Sequence, residues 1–156
     1  MIAVVSDTHL PRGSRVLPAR CVDYLGKAAL IVHAGDFTAS SVLAELEAIG
    51  APVAAVHGNQ DDEALRARLP DRVTVEVEGM RIGIVHDGGP ATRRHERLRR
   101  WFPGCSMIIY GHTHRPELAR DGEGWILNPG SPTERRRASA HTMIVIRAGV
   151  PALVEL

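Results

Sequence analysis

Eight histidines are present, and six of them stand at or just beyond the ends of short, mostly apolar runs. The runs Ile2–Ser6, Ala29–His33, Pro52–His57, Arg81–His86 and Ser106–Tyr110 are five or six residues long. That length suits strands and is too short for ordinary helices. Each run gives way to residues carrying carboxylate, imidazole or carboxamide: Asp7-Thr8-His9, Gly35-Asp36, Gly58-Asn59, His86, and Gly111-His112-Thr113-His114. A continuous apolar run fits a strand buried on both faces, as in a parallel sheet covered by helices. Such sheets bind ligands outside the carboxyl ends of their strands. The pattern therefore predicts a single edge where Asp7, His9, His33, Asp36, His57, Asn59, Asp61, His86, His112 and His114 collect.

Between these strands the spacing predicts helices. One runs from Pro18 to about Lys27 with Val22 and Leu25 inward. A second, capped by Ser40 or Ser41, carries Val42, Leu43, Leu46 and Ile49 at spacings of three to four and stops at Gly50. Asp61–Leu69 forms a short helix with an acidic first turn, and Thr92–Trp101 a basic one. From Val73 the pattern changes. Val73, Val75 and Val77 alternate with Thr74 and Glu76, and the turn at Glu78-Gly79-Met80 returns the chain as a hairpin. Further strands are expected at Glu117–Arg120, Trp125–Leu127, His141–Arg147 and Ala152–Leu156. Alternating β/α units followed by antiparallel strands point to an α/β class with two packed sheets and helices outside. The chain has 156 residues and shows no repeat or linker, so residues 1–156 form one domain.

Lys+Arg is 19 against Asp+Glu 18, and aromatic residues make up 4%. Near-neutral charge removes the bulk argument for binding a nucleic-acid polymer, and few aromatics disfavour a base-stacking platform. The only lysine is Lys27, and no P-loop is present. No G-x-S-x-G elbow occurs either. Neither a membrane span nor a signal peptide is read at the start of the sequence, and Cys21 and Cys105 are expected as free thiols, so a cytoplasmic location is expected.

The donors are imidazole, carboxylate and amide oxygen, without thiolate, a set that suits Mn²⁺, Fe, Zn²⁺ or Ni²⁺ rather than Ca²⁺. In Asp7-x-His9 and His112-x-His114, extended backbone would point both side chains to one side. The glycines before Asp36, Asn59 and His112 allow sharp turns and close approach. There are more donors than one ion needs, and two ions sharing a carboxylate would use them. His33 and His57 are open between structural histidines and residues behind the ligands or against a substrate.

The ordered motifs Ser6-Asp7-Thr8-His9, His33-Ala34-Gly35-Asp36, Gly58-Asn59-Gln60-Asp61, His86, Gly111-His112-Thr113-His114 and Asn128-Pro129-Gly130-Ser131 resemble the calcineurin-like metallophosphoesterase superfamily. The compact size resembles its small YfcE-type phosphodiesterase branch, which the retromer scaffold subunit shares. The resemblance implies a four-layer αββα sandwich of two mixed sheets, the metallo-dependent phosphatase fold. It implies two divalent metal ions, Mn²⁺ first with Ni²⁺, Fe²⁺ or Zn²⁺ as alternatives. One ion would be held by Asp7, His9, Asp36 and His114, the other by Asp36, Asn59, His86 and His112, with Asp36 bridging. Asn59, His112, Asp36 and His57 are the implied catalytic residues. A bridging hydroxide would attack the phosphorus of a small phosphoester or nucleotide. A phosphomonoesterase and a non-catalytic protein-binding scaffold are the alternatives, and a homo-oligomer is an implied assembly.

Three positions depart from the family pattern. Larger relatives carry histidine where this chain has Gln60, which removes one route to protonate a leaving group. The small branch often has arginine where this chain has His57, which would contact phosphate instead. His86 is followed by Asp87 rather than glycine, placing an extra carboxylate near the site. The arginines of Thr92–Arg100 and Arg135-Arg136-Arg137 are read chiefly as solvated surface, with attraction of an anionic partner as the rival. Trp101, Phe102 and Trp125 are read as core or subunit-interface residues.

Overall fold

The computed structural model describes residues 1–156. In chain order the elements are β1 (Ile2–Val5), α1 (Ala19–Gly26), β2 (Leu30–His33), α2 (Ser40–Ala48), β3 (Val53–Ala55), α3 (Glu63–Arg68), β4 (Arg72–Val77), β5 (Met80–Val85), α4 (Arg94–Trp101), β6 (Met107–Tyr110), β7 (Glu117–Asp121), β8 (Gly124–Asn128), β9 (Thr142–Arg147) and β10 (Val150–Glu155). Two mixed five-stranded sheets result, ordered β10-β9-β1-β2-β3 and β4-β5-β6-β8-β7. Their centres are parallel, β1 with β2 and β3 in the first and β5 with β6 and β8 in the second. The antiparallel strands β9 and β10 flank the first sheet on one side, while β4 and β7 form the two edges of the second.

The period of two explains the layers. Ile2, Val4, Leu30, Val32, Ile144 and Ile146 of the first sheet meet Ile82, Ile84, Met107, Ile109 and Leu127 of the second in a continuous buried core. The alternate residues Ala3, Val5, Ile31, Met143 and Val145 turn outward beneath Cys21 and Leu25 of α1, Val42, Leu43 and Leu46 of α2 and Leu65 of α3. On the far side, Val85, Ile108, Tyr110 and Ile126 receive Leu98 of α4 and Phe102. The four layers are thus α1–α3, sheet, sheet, α4. Each of the larger core side chains contributes about 1.5–3 kcal/mol of burial.

Local details differ from the sequence expectations. Val22 is exposed, and Cys21 takes the inward position with Leu25. Neither Ser40 nor Ser41 caps α2. Its N-cap is Ala39, and the Asp62 carboxylate accepts from the Ser40 N–H at 3.0 Å. Asp62 also caps α3 through the Leu65 N–H at 2.8 Å, so one carboxylate serves two helix starts. The arginines of α4 are largely committed to structure. Arg99 is buried, with a two-pronged pair to Asp121 at 3.0 and 2.9 Å and a bond to the Cys105 carbonyl at 2.8 Å. Arg94 and Arg97 hold the carbonyls of Gly89, Gly88 and Pro90. Phe102 is core, while Trp101 lies half-buried under Arg72. Cys21 and Cys105 are free and buried. No helix is long and apolar enough to cross a membrane.

Candidate metal centre

Every donor segment leaves the carboxyl end of a strand: Asp7 and His9 follow β1, Asp36 follows β2, Asn59 follows β3, His86 follows β5, and His112 and His114 follow β6. The segments are not extended. Asp7, His9, Asp36, His112 and His114 all lie in the left-handed region, with φ of 55°, 46°, 59°, 66° and 56°. This corrects the alternation argument for Asp7-x-His9 and His112-x-His114. Non-glycine residues held there cost of order 1–3 kcal/mol each and persist only where the surroundings over-determine them. The His112 N–H donates to Asp7 Oδ2 at 3.0 Å, and further hydrogen bonds hold the Asp7–His9 segment. Asp7 N–H donates to the Gly35 carbonyl at 2.9 Å, and His9 N–H to the Asp36 carbonyl at 3.0 Å. Ser131 Oγ donates to the Asp7 carbonyl at 2.7 Å, and Thr133 Oγ1 to the Thr8 carbonyl at 2.6 Å. Two glycines act through lack of bulk. A Cβ at Gly58 would sit 2.1 Å from Asp36 Oδ1, and one at Gly111 would sit 2.0 Å from Ser6 Oγ.

The result is two adjoining nests of donor atoms. In the first, His114 Nε2 is 3.3 Å from Asp7 Oδ1 and 3.2 Å from His9 Nε2. His9 Nε2 is in turn 3.9 Å from Asp7 Oδ1 and 3.8 Å from Asp36 Oδ2. In the second, His86 Nε2 is 3.4 Å from Asp36 Oδ2 and 3.1 Å from Asn59 Oδ1, which also lies 3.1 Å from His112 Nδ1. Asp36 Oδ2 belongs to both nests. The His112-x-His114 pair divides between them, His112 in the second and His114 in the first.

These residues fit metal. Asp7 Oδ1 is buried with no hydrogen-bond partner, which is costly for a carboxylate oxygen unless a cation lies beside it. Donor atoms around one ion at about 2.1 Å sit roughly 3.0–3.4 Å apart, close to the observed spacings. Asp7 with His9 and His114, and Asp7 with Asp36 and His86, are the groups whose atoms come close enough to hold an ion.

Protonation at the nests follows from the same contacts. At His86 burial opposes the charge, but the hydrogen bond to Asp36 and the charges of Asp7 and Asp36 prevail and lift it from 6.5 to about 9. At Asp36 burial raises the carboxyl, but the hydrogen bond and charge of His86, the Gln60 N–H and the charge of His9 outweigh it and bring the value from 3.8 to about 2. Asp7 is lowered: burial works against ionisation, and His114, His86 and Ser6 overcome it. His9 is lowered, chiefly by burial. In the metal-free protein, stability from a raised His86 is full below 6.5 and lost as pH rises through about 9. Stability from Asp36 is full above 3.8 and lost as pH falls through about 2. A ligating imidazole must be neutral, so metal loading at pH 7.5 should release about one proton from His86. Calorimetry of Mn²⁺ binding in buffers of different ionisation enthalpy measures this. Apparent affinity should rise about tenfold per pH unit up to about pH 9. Binding without proton release at pH 7.5 would contradict ligation by His86.

The calcineurin-like phosphoesterase superfamily domain matches residues 1–149. The chain belongs to this superfamily. It is 35% identical to a "probable metallophosphoesterase" of Methanothermobacter thermautotrophicus across 97% of this chain and 94% of that one. It is 24% identical to a phosphodiesterase of Methanocaldococcus jannaschii, covering 83% of this chain and 82% of the relative. Among solved structures it resembles Vps29 of Entamoeba histolytica complexed with zinc, with a TM-score of 0.76 at 20% identity over 99% of this chain and 97% of that one. That last likeness is one of fold.

Within this metallophosphoesterase scaffold, several residues matter that motif reading does not single out as ligands. Asp61 is buried beneath the nests. Its Oδ2 accepts from the N–H groups of Gly58 at 2.7 Å and Asp36 at 3.1 Å, and its Oδ1 from Thr38 at 2.7 Å. It ties the Asp36 loop to the Asn59 loop. His33 is fully buried, stacked on Phe37 at 3.5 Å. Its Nδ1 accepts from the Gly35 N–H at 3.2 Å, which leaves Nε2 to donate to Thr8 Oγ1 at 3.1 Å. Burial pushes His33 down to about 3, so it is a neutral strut. Asn128 donates to the Gly111 carbonyl at 2.9 Å. Glu134 also borders the first nest: its carboxylate lies 3.7 Å from His9 Nε2 and 3.4 Å from Arg15, and its carbonyl receives His114 Nδ1. A polar residue one turn past a Gly-Ser-Pro loop carries no local signature of this.

The departing positions fall beside the second nest. A cleft of about 500 Å³ opens there, bordered by Asn59, His86 and His112 and reaching His57 and Asp87. His57 Nε2 pairs with Asp71 at 2.9 Å. Asp87 accepts from the Gly89 N–H at 2.7 Å, closing its own turn. Gln60 offers its backbone N–H to Asp36 Oδ1 at 2.8 Å, and its side chain is exposed.

Proposed function

We propose that the protein is a cytoplasmic phosphodiesterase working with two divalent ions, Mn²⁺ first among them, on a small nucleotide or similar diester. The observation that carries the reading is the shared Asp36 carboxylate between two nests, with the buried, partnerless Asp7 Oδ1 in the first. Asp7, His9, Asp36 and His114 would hold one ion, and Asp36, Asn59, His86 and His112 the other. When bound, such ions polarise phosphoryl oxygens and bring the pKa of water from ~15.7 towards ~7. No serine or cysteine nucleophile is then required.

The chain's own groups orient the ester. Asn59 turns its Oδ1 towards His86 and His112, leaving its NH₂ to donate to a phosphoryl oxygen. His112 engages only Nδ1, so Nε2 is available to the same oxygen or to the leaving group. These preset donors stabilise charge as it develops on the phosphoryl group. Gln60 supplies no acidic proton, so good leaving groups are favoured.

The test is reconstitution. Metal-stripped protein reloaded with Mn²⁺ should bind two ions per chain and hydrolyse bis(p-nitrophenyl) phosphate faster than p-nitrophenyl phosphate. The reverse preference would make it a phosphomonoesterase. Fewer than one ion per chain with no turnover of either ester would leave a non-catalytic scaffold.

A further inference from the structure

The cleft beside the second nest is lined by two arginines, Arg66 and Arg72, and two aspartates, Asp71 and Asp87. Of its ten lining residues only Val85 is hydrophobic, which is unusual, since small-molecule pockets are mostly apolar with a few polar anchors. Its volume of about 500 Å³ suits a nucleotide-sized ligand. Arg66 and Arg72 both line it. Neither comes within ion-pairing distance of a carboxylate, whereas Arg15, Arg68, Arg81 and Arg99 all do. Two carboxylates share the walls and match the arginines in formal charge, but neither pairs with them: Asp71 bonds His57 at 2.9 Å, and Asp87 accepts from the Gly89 N–H at 2.7 Å.

Both guanidinium groups are held in place. Arg66 donates from Nε to the Asp61 carbonyl at 3.0 Å and from Nη2 to the Asn59 carbonyl at 2.7 Å. Its Nη1 is unspent, and the group is fixed to the very loop that carries Asn59. Arg72 opens β4, and its guanidinium carbon sits over the Trp101 ring, 3.7 Å from the centroid. None of its side-chain donors makes a hydrogen bond within the protein. Stacking on an aromatic face presets the plane of a guanidinium while leaving its edge free. Preset, unpaired arginines in a polar cleft are the arrangement that recognises phosphate oxygens by charge-assisted hydrogen bonds.

We infer that Arg66 and Arg72 form an anchoring subsite for a second phosphate group on the substrate, so that the preferred diester carries a further phosphate beyond the one that is cleaved. The inference rests on the phosphodiesterase reading and narrows its substrate class to nucleotides with more than one phosphate. Arg66 and Arg72 are specificity residues: they touch the part of the substrate that does not react.

A matched pair of chromogenic esters tests it. Thymidine 5′-(p-nitrophenyl phosphate) and its 3′-phosphorylated counterpart share the leaving group and the reacting phosphodiester, and differ by one phosphate. The Mn²⁺-loaded wild type should favour the 3′-phosphorylated ester by about tenfold or more in kcat/KM, mainly through KM. The preference should shrink with added salt. Arg72→Gln and Arg66→Gln should each bring the ratio towards one, with Arg72→Lys in between. Taking the ratio within each variant cancels differences in metal loading or folded fraction. A wild-type ratio near one, or a ratio that survives both Gln substitutions, overturns the subsite. Turnover of neither ester by metal-loaded wild type takes down the phosphodiesterase reading, and the subsite with it.

Discussion

Asp36→Asn is expected to lower kcat/KM by roughly 10³-fold, about 4 kcal/mol of transition-state stabilisation, and to lower the affinity for both ions together. The reason is geometric. Asp36 Oδ2 faces His9 at 3.8 Å in one nest and His86 at 3.4 Å in the other, so the substitution removes a carboxylate ligand from both at once. An amide is neutral and presents only one oxygen. The Gln60 N–H that now donates to Oδ1 at 2.8 Å would compete with any ion for that oxygen. Metal stoichiometry by elemental analysis and turnover of an aryl diester would be measured on the same preparation. The metal-free variant should still fold, melting a few degrees lower for loss of the buried Asp36–His86 pair. Stoichiometry and turnover close to wild type would mean that the shared role of Asp36 is wrong.

The second large effect lies one layer below. Asp61→Ala should cost about 3–5 kcal/mol of stability, roughly 6–20 °C in melting temperature for a domain of this size. The substitution strips the acceptor from three backbone N–H groups, those of Gly58, Asp36 and Thr38. Gly58 packs so closely on Asp36 that a Cβ there would lie 2.1 Å from Asp36 Oδ1, so the two loops depend on this carboxylate for their spacing. Because the same carboxylate joins the Asp36 loop to the Asn59 loop, Mn²⁺ affinity should fall even where the protein remains folded. Asp61→Asn retains one oxygen and should cost less. A melting temperature for Asp61→Ala within about 2 °C of wild type would show that these amides find other partners.

The strand ends were readable because burial on both faces leaves a plain mark: a short apolar run broken by polar residues. Ile2–Val5 and Met107–Tyr110 show it directly. The helix faces were less so. Cys21 rather than Val22 points inward on α1, and periodicity across eight residues does not resolve one position from the next. The cap of α2 could not be read locally, since Asp62 reaches it from 22 residues away. The basic helix looked like a solvated face, yet Arg99 is buried against Asp121 and Cys105. A guanidinium with a carboxylate and a carbonyl to satisfy it can be buried, and composition does not announce the partners.

Which residue types would meet was settled by sequence alone. Ordered carboxylates, imidazoles and an amide, each at the end of a run that must become a buried strand, can only be gathered along one edge of parallel sheets. What tertiary structure decided was how they meet. The left-handed backbone at Asp7, His9, Asp36, His112 and His114 is held by hydrogen bonds to the Gly35 and Asp36 carbonyls, to the Asp61 and Asp7 carboxylates and to the Glu134 carbonyl, and by those that Ser131 and Thr133 donate, across loops distant in the chain. His112 and His114 go to different nests, and Arg66 of α3 and Arg72 of β4 come to line one polar cleft without carboxylate partners. Each of these depends on contacts between segments far apart in sequence, and such contacts form only when the two sheets close on one another.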